Sequence, residues 1–242
     1  MWYWLFKYIF MGPLLSLLGR PKVEGLDNVP TSGAAILASN HLAVADSFYL
    51  PLVVRRRITF LAKAEYFTGT GVKGWFTRWF YTVAGQVPID RSDADSAQGA
   101  LETAQRLLGQ GKLLGMYPEG TRSPDGRLYK GKTGLARLAL ETGIPVIPVA
   151  MIGTDAVNPP GSKMWRFGRV TVRFGEPMDF SRFEGLGGNR FIERAVIDEV
   201  MYELMGLSGQ EYVDIYGASV KDGTRSAPVD QPAERLSETV AS

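Results

Sequence analysis

Short apolar runs alternate with amphipathic helical stretches along most of the chain, and few architectures accept that alternation. Strand signals fall at 21–26, 33–40, 58–62, 86–90, 112–118, 144–153 and 169–177. Helical signals fall at 44–55 (with a break expected at Pro51), 71–82, 93–111, 133–143 and 189–207. The stretch 93–111 is the clearest, with an acidic start, apolar residues at the helical period and a closing glycine. The pattern predicts an α/β fold with a mostly parallel central sheet flanked by helices. In such sheets ligands bind beyond the carboxyl ends of the strands, so the loops after residues 39, 62, 90 and 118 matter most.

The two ends depart from the pattern. Residues 1–20 are apolar and aromatic, interrupted by Lys7, Gly12 and Pro13. As a helix, about 17 of these residues would reach about 26 Å, short of the roughly 30 Å hydrocarbon core. Trp and Tyr crowd one end and Lys7 can snorkel, which favours an interfacial membrane helix over a buried packing helix. Residues 217–242 carry few large apolar side chains and are expected to form a disordered tail.

Of the 242 residues, 45% are hydrophobic and 21% charged, enough for a full core. A net charge of +2 argues against nucleic acid as a partner. The absence of cysteine excludes disulfides, thiolate metal sites and a cysteine acyl-enzyme, and fits a reducing compartment. The single histidine, His41, must carry any imidazole chemistry, and no zinc site with two histidines can form within one chain.

His41 follows a buried strand and precedes Asp46 by five positions. An imidazole can take a proton from an attacking hydroxyl while a carboxylate fixes its tautomer. Five residues of regular helix turn through about 140°, so the pair can meet only if His41 sits in the turn before the helix. A capping histidine beside an unrelated aspartate is the plainer reading of that spacing. At the other loops, Lys63 follows one strand, Asp90 and Arg91 stand at the end of another, and Glu119-Gly120-Thr121-Arg122-Ser123 follows a third. Arginines there can fork onto a phosphate, though surface arginines are common. Gly120 permits close backbone approach to a ligand. Lys130–Gly134 opens a helix as an anion site would, but no Walker loop is present.

Together these blocks resemble the glycerolipid acyltransferase family, and within it the bacterial 1-acylglycerol-3-phosphate acyltransferases. The family's N-H-x4-D block is matched by Asn40, His41 and Asp46. Its G-x-x-F-I-D-R block resembles Gly85, Ile89, Asp90 and Arg91, with Pro88 in place of the aromatic. E-G-T-R-S is matched from Glu119 to Ser123, and an I-P-V-x-P-V run from Ile144 to Val149. Order and spacing agree over about residues 20–180. The resemblance implies an acyltransferase domain at 21–216 that moves an acyl chain from acyl-CoA (or acyl carrier protein) to the hydroxyl of lysophosphatidic acid. It implies His41 as base, Asp46 as its orienter, and Lys63, Arg91 and Arg122 on the acceptor phosphate. It also implies Glu119, Gly120 and Thr121 at the acceptor site, and the Ile144–Val149 strand behind an acyl groove. No metal or cofactor and no covalent intermediate is expected. The chain is expected at the cytoplasmic face of the cell membrane, peripheral or monotopic. Three other readings stay open: transfer to glycerol-3-phosphate or another lysolipid, hydrolysis of a lipid or thioester, and a non-catalytic anionic-lipid-binding module.

Overall fold

The computed structural model describes residues 2–63, 65–71, 74, 75, 78, 85–89, 94–162 and 164–225. Helix α1 (Trp2–Leu5), a π-helical stretch (Phe6–Met11) and α2 (Gly12–Gly19) run on from one another. They lead into β1 (Lys22–Glu24), β2 (Ala35–Ser39), α3 (Asp46–Val53), β3 (Ile58–Lys63), α4 (Glu65–Thr68) and β4 (Gln86–Ile89). Next come α5 (Ala94–Gly109), β5 (Leu113–Met116), β6 (Leu128–Tyr129), α6 (Gly134–Thr142), β7 (Val146–Ile152) and α7 (Thr154–Val157). The described chain closes with β8 (Thr171–Phe174), α8 (Arg190–Ser208), β9 (Tyr212–Val213) and α9 (Gly217–Lys221).

Seven strands form the main sheet in the order β1-β8-β7-β2-β5-β3-β4. Strands β7, β2, β5, β3 and β4 are parallel, β8 runs antiparallel to β7, and β1 runs parallel to β8. The α/β expectation therefore holds, with the sheet mostly parallel. Residues of β2 alternate between two cores, as the two-residue period requires. Ala35 and Leu37 join the side covered by α2 and α3, whereas Ile36 and Ala38 join the side covered by α5, α6 and α8. Because β2, β5, β3 and β4 are parallel, their following loops share one edge, where the site is built.

Two helical details differ from expectation. Pro51 lies inside α3 rather than ending it. Proline's fixed φ is compatible with a helix and its missing N–H removes a single bond. The N-terminal segment both packs and faces outward. Tyr3, Lys7 and Leu15 are buried, and the Tyr49 hydroxyl donates to the Leu15 carbonyl at 3.0 Å. Glycine is required at position 19, where a Cβ would lie 2.2 Å from the Tyr49 hydroxyl oxygen. The expected snorkelling of Lys7 is not found: its amine donates to the Val54 carbonyl just past the end of α3. That carbonyl lies among the helix-end acceptors left without partners within the helix, and burial pulls the Lys7 amine down to about 8. Trp4, Tyr8, Ile9, Leu14 and Leu17 stay exposed on the other face. Among the described residues, no helix is long and apolar enough to cross a membrane.

The C-terminal segment also departs from the sequence reading. Residues 217–221, assigned to the tail, form α9, and residues 226–242 lie outside the described residues. The anchor of this segment is tertiary. Strand β9 pairs with β6, and Lys130 binds Asp214 at 2.8 Å. The expected aromatic helix 71–82 lies largely outside the described residues, including Phe76, Trp79 and Phe80; Trp75 is described and exposed.

Candidate active site

The chain leaves β2 at Ser39 and passes through Asn40 and His41 before α3 begins at Asp46. Asp46 is fully buried, and its Oδ2 accepts three hydrogen bonds. Two come from the backbone N–H groups of Leu42 and Ala43, at 2.7 and 2.9 Å. The third links it to Nδ1 of His41 at 2.8 Å. The loop thus wraps around the first carboxylate of the helix, which brings His41 back over Asp46 as the spacing argument requires.

Further contacts hold His41 in place. Its ring stacks on Tyr117, with centroids 3.8 Å apart and planes 10° from parallel. Tyr117 is held by Ser47 of α3, the two hydroxyl oxygens lying 3.0 Å apart. The carbonyl of His41 accepts from the Ser123 N–H at 2.7 Å. Beneath the loop, Asn40 closes a two-bond bridge with Met151 of β7 and donates to Gln210 at 2.6 Å. With Nδ1 on Asp46, Nε2 is the ring nitrogen left to exchange a proton; it makes no hydrogen bond among the described residues.

Glu119 holds the same loop from the other side. It is 1% exposed, and its oxygens accept from the N–H groups of His41 (3.1 Å) and Tyr129 (3.0 Å). It therefore ties the backbone of the His41 loop to that of Tyr129. Burial pushes its carboxyl up to about 7, opposed first by those two N–H donors; the nearby Asp46 charge adds to the rise and Lys221 opposes it. A carboxyl raised in this way favours folding most below its unfolded value of about 4.3, and the advantage is lost as pH climbs towards 7. Glu119→Gln can offer oxygen to only one of the two N–H donors and sets its NH2 against the other. The variant is expected to lose about 1–3 kcal/mol in urea unfolding at pH 7.5. Its stability should also decline less than that of the parent between pH 5 and 7.5; an identical pH dependence would contradict this assignment.

Gly120 adopts φ +71° in the turn after Glu119, where a Cβ would press on the Lys132 side chain at 2.9 Å. Thr121 accepts a hydrogen bond from Lys221 at 2.8 Å. Arg122 is exposed and borders a cleft of about 320 Å³ with Leu42, Ser123, Pro124, Pro160, Gly161 and Lys221. His41, Asp46, Glu119, Gly120, Thr121 and Arg122 are thus brought together. Lys63 is the last residue of β3, in register with Ile89, but its side chain lies outside the described residues, as do Asp90 and Arg91. The Ile144–Val149 run contributes to β7, with Val146, Ile147 and Val149 at 0% exposure, so it builds the sheet. A small hollow of about 40 Å³ lies between the N-terminal segment and α3, lined by Tyr3, Met11, Leu15, Phe48 and Leu52 together with Lys7 and Ser47. Sequence reasoning missed Gln210 and Lys221, because nothing local marks a residue that reaches the site by tertiary docking.

The fold and site together define an α/β protein with a mostly parallel sheet and a histidine–carboxylate pair at the carboxyl edge of its parallel strands, beside a cationic cleft. The acyltransferase family profile matches residues 20–152, and the chain belongs to that family. It is 34% identical over 166 residues to the chloroplastic 1-acyl-sn-glycerol-3-phosphate acyltransferase LPAT1 of Arabidopsis thaliana, covering 68% of this chain. It spans only 45% of that relative's length. It is 27% identical to the 1-acyl-sn-glycerol-3-phosphate acyltransferase of Bacillus subtilis, covering 72% of this chain and 81% of the relative. Its fold is similar to the crystal structure of the 1-acyl-sn-glycerophosphate acyltransferase PlsC of Thermotoga maritima. That match has a TM-score of 0.61 and 26% identity, over 81% of this chain and 75% of the other.

Proposed function

We propose that the chain transfers a fatty acyl group from an acyl thioester, acyl-CoA or acyl carrier protein, to the free hydroxyl of 1-acylglycerol-3-phosphate. The product is phosphatidic acid. The observation that carries this reading is the His41–Asp46 pair at 2.8 Å beside the cleft bordered by Arg122. Nε2 of His41 takes the acceptor's proton as its oxygen attacks the thioester carbonyl. The ester C–O bond forms, the C–S bond breaks, and the thiolate leaves with the proton returned by the imidazolium. Asp46 stabilises that imidazolium. Arg122 holds the acceptor phosphate, with Lys63 and Arg91 as further cations on the same reading. Purified protein in liposomes with acyl-CoA and lysophosphatidic acid is expected to form phosphatidic acid and free thiol in equal amounts. Transfer to glycerol-3-phosphate or another lysolipid at a higher kcat/KM would overturn the assignment of the acceptor.

The reading includes peripheral or monotopic attachment at the cytoplasmic face of the membrane. Support comes from Leu14 and Leu17, 50% and 60% exposed, and from the neighbouring loop, where Met164 and Phe167 are 76% and 73% exposed. This loop lies against α2 through the Gly168 N–H to Leu18 carbonyl bond of 2.9 Å. The basic run Arg55–Arg57 supports it less, because Arg56 binds the carbonyls of Pro30, Gly33 and Gly111. Replacing Leu14 and Leu17 together by glutamate is expected to weaken co-sedimentation with anionic vesicles roughly tenfold or more, with an unchanged melting temperature. Unchanged partitioning would mean that this face is not the docking face.

A further inference from the structure

The cleft beside His41 has two charged groups in its wall, Arg122 and Lys221, and no carboxylate among its lining residues. Lys221 stands 180 positions from His41, and the C-terminal segment brings it there. Strand β9 adds to β6, the Lys130 N–H binds the Ile215 carbonyl at 3.1 Å, and Gly217 seats against Tyr129 and Thr121. Helix α9 then carries Lys221 over the loop that bears Glu119–Ser123. Its amine gives one hydrogen bond to Thr121, which leaves two of its three N–H donors for a ligand. Arg122 makes no hydrogen bond or ion pair among the described residues.

We infer that Lys221 supplies a further cation to the phosphomonoester of the acceptor, completing a two-cation clamp with the Arg122 already placed there. This inference rests on the acyl-transfer reading above. Two like charges are held together at the cleft, an arrangement that an anion between them relieves. The Lys221 amine is held below the usual lysine range, first by burial and next by the Arg122 guanidinium, with Glu119 opposing. The seat is also near enough to the base. In the acceptor, the reacting hydroxyl and the phosphate are on adjacent carbons, so their sites must share a wall. Leu42, which lines the cleft, directly follows His41, and Ser123 lines it while donating to the His41 carbonyl.

The test is steady-state kinetics of Lys221→Met and Lys221→Arg with lysophosphatidic acid and, separately, with uncharged monoacylglycerol at high concentration. Lys221→Met is expected to raise KM for lysophosphatidic acid roughly ten- to a hundredfold, with kcat changed much less. Lys221→Arg should restore most of that loss, and any transfer to monoacylglycerol should be indifferent to both changes. An unchanged KM overturns the inference. So does an equal loss with both acceptors, or a loss that arginine does not rescue, because either marks a tether for Thr121. A measurement on the parent protein avoids dependence on folded variants. The Lys221 side-chain NMR signal, assigned by its absence in Lys221→Arg, should move on titration with glycerol-3-phosphate, and a static signal overturns the clamp. If the parent protein fails to acylate lysophosphatidic acid at all, the functional reading falls instead, a result distinct from an active parent indifferent to Lys221.

Discussion

His41→Ala is expected to lower kcat by about 10²–10⁴-fold, the usual contribution of a positioned general base, with a much smaller change in acceptor KM. No second histidine exists to take over the proton, so residual rate must come from binding and orientation. The side chain is 16% exposed and its contacts are the Asp46 bond and the Tyr117 stack, so the variant should fold. Circular dichroism and thermal melting beside the rate measurement separate lost chemistry from lost structure. A folded variant with parental kcat would remove His41 from the mechanism.

Asp46→Asn is the second large effect, and its logic is different. Oδ2 serves the His41 ring and two backbone N–H groups, while Oδ1 is buried without a partner among the described residues. Asparagine can keep its oxygen towards all three donors only by burying an unpartnered NH2. Turning the amide over sets that NH2 against the two backbone donors. Either way the negative charge that stabilises the imidazolium is gone. The expected result is a loss of about 10²-fold or more in kcat together with about 1–3 kcal/mol of stability. A stability loss without a rate loss would reduce Asp46 to a cap for the loop.

Much of this arrangement is legible in the sequence. The continuous apolar run at 33–40 marked β2 as an interior strand, and all of Ala35–Ser39 is buried at the sheet centre. Helical rotation alone required His41 to precede the helix bearing Asp46, and the loop does fold back in that way. Helix α6 closes at Gly143 with φ +65°, the residue at which the helical stretch 133–143 ends in the sequence. The misses have a shared physical cause. Strands β6 and β9 are two residues each, too short for a periodic signal, and they exist because segments 84 positions apart meet. The positions of Lys221 and Gln210 follow from that meeting. Lys7 stands among aromatic residues, which suggests a snorkelling cation, and nothing local reveals the Val54 carbonyl that it binds. Glu119, which the resemblance places at the acceptor site, also binds the backbone of His41 and Tyr129, contacts that only the fold reveals.

The central claim is direct transfer driven by one base, and a rapid-quench experiment tests it with acyl-labelled thioester and the parent protein. With lysophosphatidic acid present, the label should pass straight into phosphatidic acid, with thiol release in step and no labelled protein at any time. Without acceptor, thiol release should be slow and show no burst. A burst of one thiol per protein with the label bound to the chain, or label appearing as free fatty acid while acceptor is saturating, would contradict the account.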